Sequence, residues 1–132
     1  MRLELCLLAA LLGAPALSAA AADGPWLRCR LEQSNTVHVL GYGPAADIYR
    51  VPATNINDNF HFKAVVAAAD GVAEYVKIYV YYQRRGQPIL LQQATYRAPI
   101  ADGRSLTGEQ RLYSPILGRE LQYDCALTSV RP

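Results

Sequence analysis

The sequence predicts an all-β domain, a single antiparallel β-sandwich of about seven to eight strands with an immunoglobulin-like architecture. Apolar and polar residues alternate along several short segments instead of recurring at helical spacing, and turn residues separate these segments at frequent intervals. Two cysteines, Cys29 and Cys125, bracket the segments and indicate that one bond closes the domain. A small β-barrel would show the same pattern and is the alternative architecture.

The N-terminal residues have the pattern of a signal peptide. Arg2 supplies a positive charge, residues 5–12 are apolar, and small residues at 19–22 offer cleavage sites. The apolar run is far shorter than the roughly 20 residues that span a bilayer. We therefore expect a signal peptide at 1–22, one domain at 23–132, and no stable membrane insertion after cleavage. Such a leader favours export of a bacterial protein, to the periplasm or out of the cell.

Cleavage would leave an even number of cysteines. Cys6 falls within the predicted signal peptide, so Cys29 and Cys125 remain as a pair. In an exported chain such a pair favours a disulfide, and the Cys-x-x-Cys spacing of redox enzymes is absent. Closing a loop of about 95 residues would stabilise the fold by roughly 4 to 5 kcal/mol on the chain-entropy model. The first and last strands are therefore expected to be neighbours or to face each other.

The strands predicted for the first half of the domain are short. Residues 27–32 alternate strictly, residues 37–40 follow as a second strand, and residues 48–51 are predicted as a third, with Pro52 either ending it or marking an edge strand. Residues 55–59 are rich in Asn and Asp, which is typical of a turn.

The strands predicted for the second half are longer. β-branched residues favour a strand at 60–67, and an Asp-Gly pair favours a hairpin turn into the next strand at 72–83. A turn at 84–87 leads to an antiparallel partner at 89–97, after which 98–108 is irregular. The two remaining predicted strands are 111–113 and 120–128.

The charge balance argues against two classes of partner. The formal net charge is only +2, which provides no electrostatic attraction for nucleic acid or for an anionic membrane surface. The one adjacent basic pair, Arg84-Arg85, precedes Gly86 and is typical of a solvated hairpin tip. We therefore predict no nucleic-acid partner.

One segment resembles a known family. Tyr123-Asp124-Cys125 resembles the second-cysteine strand of immunoglobulin-like domains, in which a tyrosine stands two places before the cysteine. Trp26 precedes the first cysteine here, whereas the family tryptophan follows it. The resemblance implies a sandwich architecture and carries no binding site.

No pattern indicates catalysis, a metal or a cofactor. His38 and His61 are separated by a turn-rich region, and their spacing matches no compact metal-ligand motif. Residues 55–59 lack the Asp-x-Asp-x-Asp-Gly progression of a calcium loop, and no serine has a Gly-x-Ser-x-Gly context. A pair of carboxylates for glycoside hydrolysis would meet only in the folded structure, so the sequence leaves this alternative open. We predict a protein that is not an enzyme and that has no cofactor and no metal.

The tyrosines are the one indication of function. The predicted binding residues are Tyr75, Lys77, Tyr79 and Tyr81 on one face of a strand, with Tyr96 beside them from the partner strand. Tyrosine buries a large ring at low entropic cost and keeps a hydroxyl for hydrogen bonding, which suits protein or sugar recognition. The alternative is structural, because cross-strand aromatic pairs stabilise sheets and 98–108 would be able to cover this face.

The leading hypothesis is a non-enzymatic exported module that binds another envelope or secreted protein through the tyrosine-bearing face or a strand edge. A small-ligand or glycan-binding β domain is the second hypothesis. The third is a secreted enzyme or enzyme inhibitor whose site lies on loops 52–59 and 98–108.

Overall fold

The structure, a computed structural model, describes residues 24–129 and 131–132, which form eight β-strands in two antiparallel sheets. The predicted sandwich is therefore confirmed, whereas the predicted signal peptide 1–22 lies outside the described residues. The strands are β1 (Trp26–Gln33), β2 (Thr36–Tyr42), β3 (Thr54–Ile56), β4 (Phe60–Ala69), β5 (Val72–Arg84), β6 (Gln87–Arg97), β7 (Gln110–Tyr113) and β8 (Glu120–Thr128). Within the described residues, no helix is long and apolar enough to cross a membrane.

Each sheet has four strands. The first sheet has the order β2-β1-β8-β7, and the second has the order β3-β4-β5-β6. The chain therefore crosses between sheets at the β2–β3 and β6–β7 connections. Because the second sheet is a simple meander, its long central strands β4 and β5 stand side by side over ten paired residues.

The core lies between the sheets because alternate residues of each strand point inward. The rings of Phe62 in β4 and Tyr123 in β8 meet edge to face, with centroids 5.2 Å apart, and so join the two sheets. Each large apolar side chain buried in this way contributes about 1.5 to 3 kcal/mol. The largest fully buried side chains come from both sheets: Tyr123, Phe60, Phe62, Leu27, Leu31, Ile56 and Ile78.

A buried disulfide links the two central strands of the first sheet. Cys29 in β1 and Cys125 in β8 are direct partners in the strand pairing, with Cα atoms 4.1 Å apart. The predicted bond between the first and last strands is thus present in the fold. In antibody domains the corresponding bond joins one sheet to the other, whereas here both cysteines belong to one sheet.

The strand predicted at 48–51 is wrong, and the true third strand lies further along the chain. Asp47 explains the error, because its carboxylate accepts a hydrogen bond from the Tyr49 amide at 2.9 Å and its carbonyl accepts one from the Arg50 amide at 3.1 Å. These bonds close a turn that competes with sheet pairing. The third strand is instead β3, which overlaps the segment predicted as a turn at 55–59 and forms an edge of the second sheet.

The segment 98–108 lies against the first sheet. Leu106 donates its backbone N–H to the carbonyl of Cys125 at 2.7 Å, and Thr107 accepts a hydrogen bond from the Cys125 amide at 3.0 Å. A further bond joins the Gly103 amide to the carbonyl of Leu127 at 3.0 Å. These contacts prolong the sheet along β8 beyond the short strand β7. At its start the segment also bonds to the end of β5, where the Ala98 amide donates to the Glu74 carbonyl at 2.9 Å, but it leaves Tyr75, Tyr79 and Tyr81 half-exposed.

Candidate functional site

The candidate site is the outer surface of the second sheet. Val76, Ile78 and Val80 of β5 are fully buried, so the alternate residues of the same strand point away from the core. We call the twelve outward positions of β4, β5 and β6 that pair in four rows the tyrosine face. In order across the strands, its four rows are His61–Tyr81–Leu90, Lys63–Tyr79–Gln93, Val65–Lys77–Thr95 and Ala67–Tyr75–Arg97.

The aromatic side chains of the tyrosine face are ordered by contacts with each other and with lysines. The rings of Tyr79 and Tyr81 lie 6.4 Å apart and within 8° of parallel. The ammonium of Lys63 lies 4.7 Å from the centre of the Tyr79 ring, and that of Lys77 lies 5.3 Å from the centre of the Tyr75 ring. Such cation–π contacts contribute about 0.5 to 1 kcal/mol each at exposed sites. They restrict the side chains before any partner arrives.

The tyrosines lie over apolar residues and remain half-exposed themselves. Val65 points outward from β4, yet only 3% of its surface is accessible, because the longer side chains around it cover it. Tyr75, Tyr79 and Tyr81 are each half-buried. The tyrosine face is therefore a layer of ring edges, hydroxyls and ammonium groups above a small apolar base.

Tyr96 does not belong to this face, so the predicted grouping of five residues is wrong in this one position. Tyr96 pairs with Val76, and directly paired residues of antiparallel strands point to the same side of a sheet. It therefore packs against the core, where burial raises its pKa above the ordinary value. The structure brings together the other four predicted residues and adds two that sequence reasoning did not single out, Lys63 and Arg97.

The cations of the tyrosine face lack carboxylate partners within the described residues. None of the twelve positions in these rows is Asp or Glu; the nearest carboxylate in β5 is that of the exposed bulge residue Glu74, which borders the last row beside Tyr75 and forms no ion pair among the described residues. Lys63, Lys77 and Arg97 take part in none of the ion pairs formed among residues 24–129 and 131–132. Both lysines of the chain lie on this face. The face therefore carries a local charge of +3 from three side chains, while the whole chain has a net charge of +2.

The two histidines lie on different sheets. A ring nitrogen of His38 lies 3.1 Å from the side-chain oxygen of Asn57, and the Asn57 amide donates to the backbone and side-chain oxygens of the buried Gln33. These bonds hold the β3–β4 turn against the end of β1. His61 lies on the tyrosine face opposite Tyr81. Across the described ranges, no group of three or more His, Cys, Asp or Glu side chains is placed to hold a metal ion.

Two further features were not indicated by the sequence. A cavity of about 620 Å³ opens at one end of the sandwich, between the β4–β5 turn and the segment that follows β6. Its lining comes from separate segments and includes Val72, Ala73, Pro99, Ile100 and Leu127. At the β7–β8 turn, Ile116 and Leu117 expose 78% and 62% of their surfaces. Neither feature has a local sequence signal, since each depends on how distant segments meet or how a turn is aimed.

Comparison with family models, with curated proteins and with solved structures finds no match for this chain. The tyrosine face, the end cavity and the free strand edges are therefore the features on which a function must rest.

Proposed function

We propose that this protein is a non-enzymatic exported module that binds another envelope or secreted protein through its tyrosine face. The observation that carries the proposal is the half-exposed trio Tyr75, Tyr79 and Tyr81, ordered by stacking and by lysine contacts. Tyrosine is enriched in protein interfaces because its ring offers a large contact area and its hydroxyl can bond at the rim. Side chains that are ordered beforehand lose less entropy on binding.

The free edge of β6 supports the same proposal, because it adjoins the tyrosine face. Strand β6 is eleven residues long and is the last strand of its sheet in the described part of the chain. Exposed edges are usually protected by charges, prolines, bulges or shortening. Strand β6 has Pro88 and a bulge near its start, but residues 92–96 carry neither a charge nor a proline. A strand from a partner that pairs with β6 would extend the tyrosine face outward from Gln93 and Thr95.

The proposed location is the bacterial periplasm or the outside of the cell. The predicted signal peptide 1–22 supports export, and the disulfide between Cys29 and Cys125 is compatible with an oxidising compartment.

Affinity capture tests the proposal. The exported protein is used to capture partners from an extract of its own cell envelope, and captured proteins are identified by mass spectrometry. A Tyr79→Ala/Tyr81→Ala variant should lose about 30-fold or more in affinity for the captured protein, as expected for central interface residues. A Tyr79→Thr/Tyr81→Thr variant, which favours a strand, serves as a second test that preserves the fold.

The matched control is Tyr49→Ala/Tyr113→Ala, which removes two exposed tyrosines that lie elsewhere on the molecule. Thermal melts establish that each variant is folded. Undiminished capture by folded Tyr79/Tyr81 variants, or equal loss in the control, would refute the tyrosine face as the binding surface.

The end cavity favours a second candidate function, the binding of a small apolar ligand. Its volume of about 620 Å³ lies within the roughly 300 to 1,000 Å³ typical of ligand pockets. A thermal-shift screen with small apolar compounds tests this function, with Ala73→Leu as the variant that narrows the cavity. A ligand that raises the melting temperature of the unmodified protein and of the Ala73→Leu variant equally would bind outside the cavity.

A further inference from the structure

We infer, resting on the proposed function, that the partner presents an acidic segment whose carboxylates meet Lys63, Lys77 and Arg97. The four rows of the tyrosine face contain three cations and no anions, one exposed carboxylate, Glu74, lies at their border, and the described ion pairs lie elsewhere. A partner whose charges were also positive would be repelled, whereas carboxylates would supply the missing charge.

The three cations follow a diagonal line across the sheet. Lys63 lies in the second row on β4, Lys77 in the third row on β5, and Arg97 in the fourth row on β6. Each step crosses one strand spacing of about 4.8 Å and two residues of about 3.4 Å each, so neighbouring backbone positions are about 8 Å apart. Alternate residues of an extended segment repeat at about 6.8 Å, a spacing that flexible lysine and arginine side chains can match. Carboxylates at alternate positions of an extended segment therefore fit the line.

The tyrosine rings favour protein carboxylates over an acidic sugar chain. Stacking of a sugar requires a free ring face, but Tyr79 contacts both the Tyr81 ring and the Lys63 ammonium. One face of Tyr75 is likewise in contact with Lys77. The hydroxyls and ring edges that remain are suited to hydrogen bonds with carboxylates and backbone amides.

A defined peptide tests the inference without knowledge of the natural partner. The probe is a peptide of about ten residues that alternates Glu with Thr, so that its carboxylates repeat at about 6.8 Å when extended. The control peptide has Gln in place of Glu. Binding to the ¹⁵N-labelled protein is followed by NMR at about 20 mM and about 200 mM NaCl, because contacts between exposed charges weaken with salt.

We expect the acidic peptide to shift the amides of Lys63, Lys77 and Arg97, to bind less tightly at the higher salt concentration, and to exceed the Gln peptide in affinity. Removing the charge of one lysine, in Lys63→Gln or Lys77→Gln, should weaken binding about two- to fivefold, and removing both should weaken it about tenfold. The matched control Arg28→Gln/Arg104→Gln removes two cations outside the face and should leave binding unchanged.

Three results would overturn the inference: no binding of the acidic peptide, equal binding of the Gln peptide, or amide shifts confined to other surfaces. Polygalacturonate is tested in parallel, and lysine-dependent binding of this polymer without binding of the peptide would assign the face to acidic sugars instead. Failure of the proposed function is distinguishable, because the Tyr79/Tyr81 variants would then still capture the envelope partner. Loss of capture in the tyrosine variants, with no effect of Lys63→Gln/Lys77→Gln, would leave the proposed function standing and reject the acidic partner.

Discussion

The outer faces of the two sheets arrange their charges in different ways. On the first sheet, Arg30 lies 3.2 Å from Glu32, and Arg111 lies 2.7 Å from Glu109 and 3.8 Å from Glu120. On the second sheet, lysines rest on tyrosine rings and are not paired with carboxylates of the described residues. On the first face Arg30 and Arg111 thus have carboxylate partners, while the lysines of the second face are left available to a partner.

The pKa values of two charged side chains on the first sheet, Arg111 and Glu120, reflect their hydrogen bonds and charged neighbours. A hydrogen bond to Glu109, together with the charges of Glu109 and Glu120, raises the pKa of Arg111 above its ordinary value. A hydrogen bond from Gln122 lowers the pKa of Glu120. Each charged form is therefore favoured by its neighbours on the same sheet.

The largest expected effect comes from the disulfide, which lies within the first sheet. Removing the bond in Cys29→Ala/Cys125→Ala should lower the free energy of unfolding by about 4 to 5 kcal/mol, because the unfolded chain regains a loop of about 95 residues. Urea unfolding measures the loss. Peptide binding at the tyrosine face should persist in the variant where it is folded, since the bond lies in the other sheet. Loss of a specific chemical turnover in a still-folded variant would instead indicate that the cysteines are reactive.

An intermediate effect concerns two tyrosines that pack against the core. Burial, partly offset by a hydrogen bond from Thr54, raises the pKa of Tyr42 to about 12 from an ordinary value of 10.0, and burial also raises that of Tyr123. The unfolded chain therefore loses these protons first as the pH rises. Their contribution to stability is complete below pH 10.0 and is lost as the pH approaches about 12.

Urea unfolding across this alkaline range tests the prediction, and Tyr42→Phe should show a smaller decline in stability than the unmodified protein. A free energy of unfolding that stays constant from pH 10.0 to about 12 would contradict the burial of these hydroxyls.

The smallest expected effect is that of removing a single charge from the outer face of either sheet. Glu32→Gln breaks the ion pair with Arg30, and Lys63→Gln removes a cation from the Tyr79 ring, so each should change the free energy of unfolding by less than about 1 kcal/mol. Only Lys63→Gln should weaken binding of the acidic peptide. Equal effects of the two variants on binding would mean that the outer faces do not differ in function.

The long strands were predictable because the alternation of apolar and polar residues that indicates a strand is a property of neighbouring residues. Alternation along 72–83 identifies which β5 residues face the core, and the structure confirms that Val76, Ile78 and Val80 are buried. The position of Tyr96 was not predictable, since it depends on the register between β5 and β6. That pairing shifts at a bulge between Val80 and Tyr81, and a slip of one residue moves every side chain of a strand to the other face.

The sequence by itself determined the all-β class, the pairing of Cys29 with Cys125 and the tyrosine-bearing side of β5, because alternation and cysteine number are properties of neighbouring residues and of a simple count. Only the tertiary structure decided that the segment 98–108 lies alongside β8 and that Lys63 and Arg97 join Lys77 on one surface. These residues come from three strands, and strand register rather than local sequence brings them together. The charge of the candidate site is therefore a property of the assembled sheet.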